Sequence, residues 1–215
     1  RTLAALEALH AERPSAPNAA LGELPERLLG ANETPLPDPL IDELAMCLAR
    51  QFPASSANQL LLDVTELMRS DGKSGIQRVV KSLLLAFLSD PPAGLHVSAI
   101  YFDGQQFRHA REFVRGLTGA TDGKSELVDW RPGDIYLSLD LNIRSMPDTE
   151  PLMRDLARQG VRLCFVVFDL LPLLRPDWWP TGMSARFEEW LRRLLGVADT
   201  VCCISRSVAD ELEAW

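Results

Sequence analysis

The sequence predicts an α/β fold, in which a mainly parallel sheet carries helices on its flanks. Short apolar runs typical of buried strands occupy residues 59–64, 135–139, 161–168 and 200–204. Between these runs, apolar residues recur at helical spacing. Because strands that alternate with amphipathic helices are usually joined by right-handed crossovers, we expect most of the strands to be parallel.

The first 57 residues differ from the rest, since they are rich in Ala, Leu and Pro. Asp38 and Pro39 are typical of a helix start, and the apolar residues that follow recur at helical spacing. We therefore predict two parts. Residues 1–57 form a helical, Pro-rich lead-in or linker, and residues 58–215 form the α/β domain.

The clearest helix of the α/β domain follows its first strand. Apolar residues from Ile76 to Leu88 recur at i, i+3, i+4 and i+7, which gives one buried face, and Pro91 ends the pattern. A β-rich run over 95–102 leads to a turn at Asp103-Gly104. The remaining helices are predicted near 149–159, over 183–195 and from about Ser207, where residues 207–210 resemble a capping box.

Composition excludes several functions. The 215 residues carry a net charge of −8, which argues against nonspecific nucleic-acid binding because such binding relies on clustered cations. No apolar run approaches the roughly 20 residues that span a bilayer. The four cysteines lack C-x-x-C spacing and the three histidines are scattered, so we expect no metal site and a reducing, cytoplasmic compartment.

Polar side chains follow four of the predicted strands at their carboxyl ends, namely Asp63, Asp140, Asp169 and Ser205. Parallel sheets bind ligands beyond these ends, so we predict a functional edge there. Asp169 could accept hydrogen bonds from substrate hydroxyls, or act as a base if partly desolvated. The alternative is that Asp169 only caps or orders its loop, and for Asp63 and Asp140 a structural role is the stronger interpretation.

The loop over residues 71–75 is the candidate for anion or sugar binding. Gly72 and Gly75 permit a tight backbone, while Lys73 and Arg78 add positive charge, which suits a phosphate or a cluster of sugar hydroxyls. The alternative is a plain turn between a strand and a helix. A Walker A loop would need Gly in place of Leu67, and no G-x-G-x-x-G follows a strand, which disfavours ATPases and classical dinucleotide-binding proteins.

Aromatic residues offer one further candidate. Trp178 and Trp179 could form a platform for a sugar ring, or could simply pin a long loop to the core. No Ser-His-Asp or Cys-His arrangement is arguable with three scattered histidines, so a covalent mechanism of that kind is not expected.

Several of these segments together resemble one family, the bacterial family 4 glycosyltransferases of the GT-B fold, which build surface polysaccharides. The resemblance covers about residues 59–215, and Gly-Ile-Gln-Arg-Val-Val over 75–80 is its most specific element. The matching segments are residues 62–67, 71–80, 132–136 with Asp140, 165–172 and 198–207.

The resemblance implies a retaining transfer of a sugar from a nucleotide-sugar donor to a growing polysaccharide or lipid-linked glycan. In the GT-B fold two Rossmann-like domains face a cleft, and this chain is similar to the first, acceptor-side domain. No metal is expected, because helix N-termini and basic side chains stabilise the departing diphosphate. The implied site comprises Asp169 as the catalytic group and Gly72, Lys73, Ser74, Gly75, Gln77, Arg78, Asp140 and Ser205 as substrate contacts.

Two departures from the family pattern matter. Many relatives carry His where this chain has Phe168, so Asp169 must be judged without that imidazole. The paired glutamates and basic residues of the donor-binding half have no counterpart in the chain. The alternatives are a noncatalytic Rossmann-like interaction module of a multidomain assembly and a flavodoxin-like domain that binds a small molecule or nucleotide. For the glycosyltransferase we expect a cytoplasmic location, with peripheral contact at the inner face of the cytoplasmic membrane.

We predict that the 215-residue chain alone transfers no sugar, because the donor-binding half that the family uses has no counterpart in it. Incubation of the purified chain with nucleotide sugars and glycan acceptors should release no nucleoside diphosphate above the rate of buffer. Turnover of any nucleotide sugar by the chain would contradict this expectation.

Overall fold

The computed structural model describes residues 58–70, 74–118 and 126–215, and Asn58–Trp215 forms a compact unit. Its strands are β1 (Asn58–Asp63), β2 (Leu95–Phe102), β3 (Phe107–His109), β4 (Ile135–Ser138), β5 (Arg162–Val167) and β6 (Thr200–Cys203). Its helices are α1 (Thr65–Arg69), α2 (Gly75–Ser89), α3 (Arg111–Thr118), α4 (Met146–Arg158), α5 (Leu171–Leu174), α6 (Met183–Leu195) and α7 (Arg206–Ala214), with a 3₁₀ turn over Pro176–Trp178. The predicted lead-in over residues 1–57 lies outside the described residues.

The six strands form one sheet in the order β3-β2-β1-β4-β5-β6. Every neighbouring pair is parallel except β2 and β3, which are antiparallel at one edge. The middle of β1 is fully buried, and β4 and β5 carry almost no exposed side chain, as expected when helices cover both faces of a parallel sheet. The predicted α/β, mainly parallel Rossmann-like fold is confirmed.

The predicted strands and the long helix α2 are confirmed to within two residues at each end. The helix predicted near 149–159 starts earlier, at Met146, because Pro147 occupies the first turn, where its missing N–H leaves no hydrogen bond unmade. Helices α1 and α3 were not predicted. Both are short, and α3 has no buried residue, although Phe113, Val114 and Leu117 give it an apolar side.

A buried carboxylate at the end of β1 ties three strands together. Asp63 is 3% exposed, and its Oδ2 accepts a hydrogen bond of 2.6 Å from the Tyr136 hydroxyl on β4. Its Oδ1 accepts from the backbone N–H and the hydroxyl of Thr65 at 2.9 and 2.5 Å. The Thr65 Oγ1 in turn accepts from the Phe102 N–H at the end of β2, at 2.9 Å. We call this network of Asp63, Thr65, Tyr136 and the Phe102 N–H the Asp63 network.

Burial raises the pKa of the Asp63 carboxyl, although hydrogen bonds from Thr65 and Tyr136 work against that rise. Burial together with the nearby Asp63 charge holds the pKa of Tyr136 well above its usual range. Tyr136 therefore keeps its proton and remains a hydrogen-bond donor to Asp63. The network fixes the relative positions of β1, β2 and β4 at the carboxyl edge of the sheet.

At the opposite side of the sheet, where the parallel strands begin, Asp134 fixes the start of β4. Its carboxylate accepts from the backbone and side-chain N–H groups of Gln59 at 2.9 Å each, and from the Arg131 N–H at 2.8 Å. The Pro-Gly-Asp segment before β4 thus has a structural role, because it aligns β4 with β1.

We expect Tyr136→Phe to lower the free energy of unfolding by roughly 1–3 kcal/mol, because Asp63 Oδ2 loses a hydrogen bond inside the protein. Tyr101→Phe on β2 is a matched control, since no hydrogen bond of the Tyr101 hydroxyl is found among the described residues, and it should change the value by less than ~0.5 kcal/mol. Urea unfolding measures both. Equal effects of the two substitutions would contradict the role given to the Asp63 network.

Candidate functional site

The order of the strands places a switch point between β1 and β4. The chain passes from β1 to β2 on one side, and later adds β4 on the other side of β1. The loops that follow β1 and β4 therefore diverge, and such a divergence forms a crevice at the carboxyl edge where α/β proteins bind ligands. We define the switch-point crevice by residues 63–70 and 139–142.

Asp140 lies in this crevice and has an unsatisfied oxygen. The residue is 7% exposed, and its Oδ1 accepts a hydrogen bond of 2.7 Å from the Leu141 N–H. Its Oδ2 is buried and has no hydrogen-bond partner in the structure. Burial raises the pKa of the Asp140 carboxyl, and the nearby Asp63 adds to the rise. A buried carboxylate oxygen without a partner is an unsatisfied hydrogen-bond acceptor, which makes Asp140 a candidate site residue.

Asn142 sits two residues further along the same loop and was not predicted. It is 2% exposed, and its Oδ1 accepts from the Trp190 indole N–H on α6 at 2.7 Å. Its Nδ2 makes no hydrogen bond of ordinary geometry, although it is near enough to the Tyr136 oxygen to oppose the rise of the Tyr136 pKa. The residue gives no sequence signal, because its importance comes from a contact with a helix nearly fifty residues away.

Glu66 adds a third carboxylate to the crevice beside Asp63 and Asp140. It is half-buried and lies 3.3 Å from Arg69. Burial raises the pKa of Glu66. The charges of Asp140 and Asp63 add to that rise, whereas the charges of Arg69 and Arg144 oppose it. The crevice thus combines three carboxylates with the guanidinium group of Arg69, and Arg144 lies near enough to act on Glu66. Carboxylates and guanidinium groups can both form hydrogen bonds with the hydroxyls of a neutral polyol.

Ser74, in the loop predicted to bind an anion or a sugar, is the N-cap of α2. Ser74 caps α2 through a hydrogen bond from the Gln77 N–H to its Oγ at 3.2 Å, while its own N–H donates to Gln77 Oε1 at 3.4 Å. Gln77 also donates to the Ser70 carbonyl. A Cβ added at Gly75 would meet nothing within 4 Å, so packing does not require glycine there.

Arg78 is exposed on the first turn of α2 and forms no ion pair with a described residue. Gly72 and Lys73, which were predicted as substrate contacts, lie outside the described residues. Their role stays a prediction.

Asp169 and Ser205 lie at the predicted edge, after β5 and β6, and both have local roles. Asp169 is half-buried, and its Oδ1 accepts from the Leu171 N–H at 3.0 Å, which orders the start of α5. Ser205 caps α7 by accepting from the Val208 N–H at 3.2 Å. The capping box predicted at Ser207 is therefore wrong, because Ser205 is the cap and the helix begins at Arg206.

Trp178 does not pin its loop to the core, since 60% of the residue is exposed and Trp179 is 37% exposed. The Arg175 guanidinium lies 4.1 Å from the centre of the Trp178 ring, and Asp177 holds that guanidinium at 3.1 Å. The pair remains available as an aromatic surface next to the carboxyl edge.

Among the described residues, no group of three or more His, Cys, Asp and Glu side chains could hold a metal ion. Within the same part of the chain, no helix has the length and apolar character to cross a membrane.

No protein-family model matches the chain. It is, however, similar to serotype-specific mannosyltransferases WbdA of Escherichia coli, with 35% identity to one and 34% to another over 173 residues. The match covers 80% of this chain and only 21% of the relatives, so the chain spans about a fifth of their length. The resemblance to bacterial glycosyltransferases, which the sequence motifs predict, is confirmed by this similarity.

We expect Asp140→Asn to stabilise the fold at pH 7 by on the order of 1 kcal/mol, because a neutral amide is cheaper to bury than a carboxylate. Since the pKa of Asp140 is raised, the folded state holds its proton more tightly than the unfolded chain, and the contribution of Asp140 to wild-type stability falls as the pH rises above the ordinary value of 3.8. The advantage of the variant should therefore be larger at pH 8 than at pH 5.

Urea unfolding at these two pH values measures the effect, with the exposed Asp90→Asn as the control for loss of one charge. A pH-independent difference, or a variant less stable than wild type, would contradict a costly buried carboxylate at position 140.

Proposed function

We propose that this chain is the acceptor-side domain of a retaining glycosyltransferase, which moves a sugar from a nucleotide-sugar donor to a growing polysaccharide or lipid-linked glycan. The observation that carries the proposal is the 35% identity over 173 residues to a mannosyltransferase. By the same similarity, we propose mannose as the transferred sugar.

The electrostatics of the switch-point crevice favour an acceptor over a donor. Asp63, Glu66 and Asp140 place three carboxylates close enough to influence one another. The three carboxylates outnumber the nearby Arg69 and Arg144, which disfavours a nucleoside diphosphate there, whereas sugar hydroxyls can donate to Asp140 Oδ2 and Glu66. These charges favour an acceptor glycan that lies against the ends of β1 and β4.

In the proposed reaction an acceptor hydroxyl oxygen forms a bond to the anomeric carbon of the donor sugar, and the bond from that carbon to the diphosphate oxygen breaks. The nucleoside diphosphate leaves with the bonding electrons and takes up the hydroxyl proton. Attack and departure occur on the same face, so the configuration is retained. The domain contributes by fixing the acceptor hydroxyl through Asp140, Glu66 and Asp169, because correct positioning removes much of the entropic barrier.

The proposal requires a donor-binding partner domain and no metal cofactor. It also assigns further residues to the wall of the cleft that faces the donor-binding domain, with Asp169 nearest the acceptor. These residues are Gly72, Lys73, Ser74, Gly75, Gln77, Arg78 and Ser205. It also places the enzyme in the cytoplasm, peripherally at the inner face of the membrane when the acceptor is lipid-linked. A noncatalytic interaction module remains the competing outcome.

The test is a transferase assay of the full-length protein that contains this chain, against a panel of nucleotide sugars and oligomannoside acceptors. We expect transfer of mannose, and we expect Asp140→Asn and Glu66→Gln each to lower kcat/KM by about 10–100-fold, the usual effect of losing a hydrogen bond to a charged group. Glu213→Gln on α7 removes an exposed carboxylate away from the crevice and should leave the rate unchanged.

Absence of transfer from every nucleotide sugar by the folded full-length protein would favour the interaction module. Transfer that survives Asp140→Asn and Glu66→Gln undiminished would keep the enzyme but remove the acceptor from this crevice. In the same assay, full activity of Asp169→Ala would exclude Asp169 from the site.

A further inference from the structure

A second cleft lies beside the switch-point crevice, between the loop that follows β4, the start of α4 and the exposed side of α6. It encloses about 280 Å³. Arg144, Arg186 and Arg193 line it together with Glu189, and Ile143 and Pro147 supply apolar surface above the buried Trp190 and Met146. We call it the arginine cleft.

The three arginines differ in how their charge is balanced. Arg193 is neutralised by Glu150 at 2.5 Å and Glu189 at 2.8 Å. Arg144 and Arg186 are exposed and form no ion pair with any described residue. Arg144 feels the charge of Glu66 at longer range, and Glu66 already pairs with Arg69. The two guanidinium forks of Arg144 and Arg186 are therefore available to a ligand.

Most other arginines of the described residues are paired with a carboxylate on their own helix or loop, as Arg154, Arg192 and Arg206 are. Arg144 and Arg186 lie on different elements and converge on one cleft without such a partner. Two convergent, unneutralised guanidinium groups indicate binding of an anion and not only solubility, because each one presents parallel N–H donors.

The arginine cleft is built on a rigid base. Trp190 is 2% exposed and its indole N–H donates to Asn142 Oδ1, so the cleft and the Asp140–Asn142 loop are joined directly. The Met146 N–H donates to the Asn142 carbonyl at 2.9 Å and the Thr149 N–H to the Ser145 carbonyl at 2.9 Å. These bonds hold the backbone on both sides of Arg144, which lowers the entropy lost when an anion is bound.

We propose that the arginine cleft binds a phosphate-class anion, a phosphate or diphosphate group, held by Arg144 and Arg186. The planar forks of the two guanidinium groups match phosphate oxygens in bidentate geometry. The carboxylates of the switch-point crevice exclude such an anion from the adjacent sugar site. The two neighbouring sites thus take opposite chemistries, with neutral hydroxyls in the crevice and the anion in the cleft.

Two sources could supply this anion. One is the diphosphate of a lipid-linked acceptor, and the other is the nucleoside diphosphate that leaves the donor. The proposal concerns their shared diphosphate chemistry, and its test does not require sugar transfer.

The test is isothermal titration of the full 215-residue chain with inorganic pyrophosphate at low ionic strength. We expect saturable binding at one site that weakens as salt is added, because charged pairs are screened. Arg144→Ala and Arg186→Ala should each weaken binding about tenfold, the usual loss for one charge-assisted contact. Arg158→Ala is the control for loss of one exposed arginine outside the cleft, since Arg158 lies at the last turn of α4 and pairs with Asp155 at 2.7 Å, and it should bind like wild type.

Titrations with farnesyl diphosphate and with a nucleoside diphosphate distinguish the two sources. Farnesyl diphosphate should bind more tightly than pyrophosphate if the cleft takes a lipid-linked acceptor, and the nucleoside diphosphate should do so if the cleft takes the leaving group. Absence of saturable pyrophosphate binding would overturn the proposal, and so would an equal loss in Arg158→Ala. Displacement of bound pyrophosphate by free mannose would overturn it as well. Since no transferase activity is measured, failure here leaves the proposed transfer reaction standing, and failure of that reaction leaves this binding result standing.

Discussion

The arrangement of the domain depends on the Asp63 carboxylate, which is buried at the end of β1. It holds Tyr136 on β4 directly, and through Thr65 it holds the end of β2. Three strands are thereby fixed at the edge where the loops of the candidate site begin. Because burial penalises the charged form, this carboxylate is tolerable only while all of its hydrogen bonds are made, which makes its geometry strict.

From this fixed edge follows a separation of charge. On one side of the β4 loop, Glu66 and Asp140 create an acidic crevice, and on the other side Arg144 and Arg186 create a basic cleft. The loop between them carries Asn142, whose side-chain oxygen accepts a hydrogen bond of 2.7 Å from the Trp190 indole N–H. Asp140 has one buried oxygen without a hydrogen-bond partner, which lowers the stability of the fold. Such local costs are characteristic of binding sites, where stability is given up for function.

The periodicity of the sequence predicted the sheet well, because buried strands and amphipathic helices leave strong local patterns. It also placed Asp63, Asp140, Asp169 and Ser205 at the carboxyl edge. It could not separate their roles, since Ser205 and Asp169 serve their own loops while Asp140 keeps an open oxygen. Arg144 and Arg186 left no sequence signal, because two arginines about forty residues apart become neighbours only through the packing of α6 on α4.

We propose that the crevice between β1 and β4 receives the acceptor sugar at Asp140. A crystal structure of the complete protein with a bound oligosaccharide acceptor tests it most directly. We expect a sugar hydroxyl within about 3 Å of Asp140 Oδ2, the ordinary length of such a hydrogen bond. An acceptor bound elsewhere, with Asp140 Oδ2 still without a partner, would contradict it.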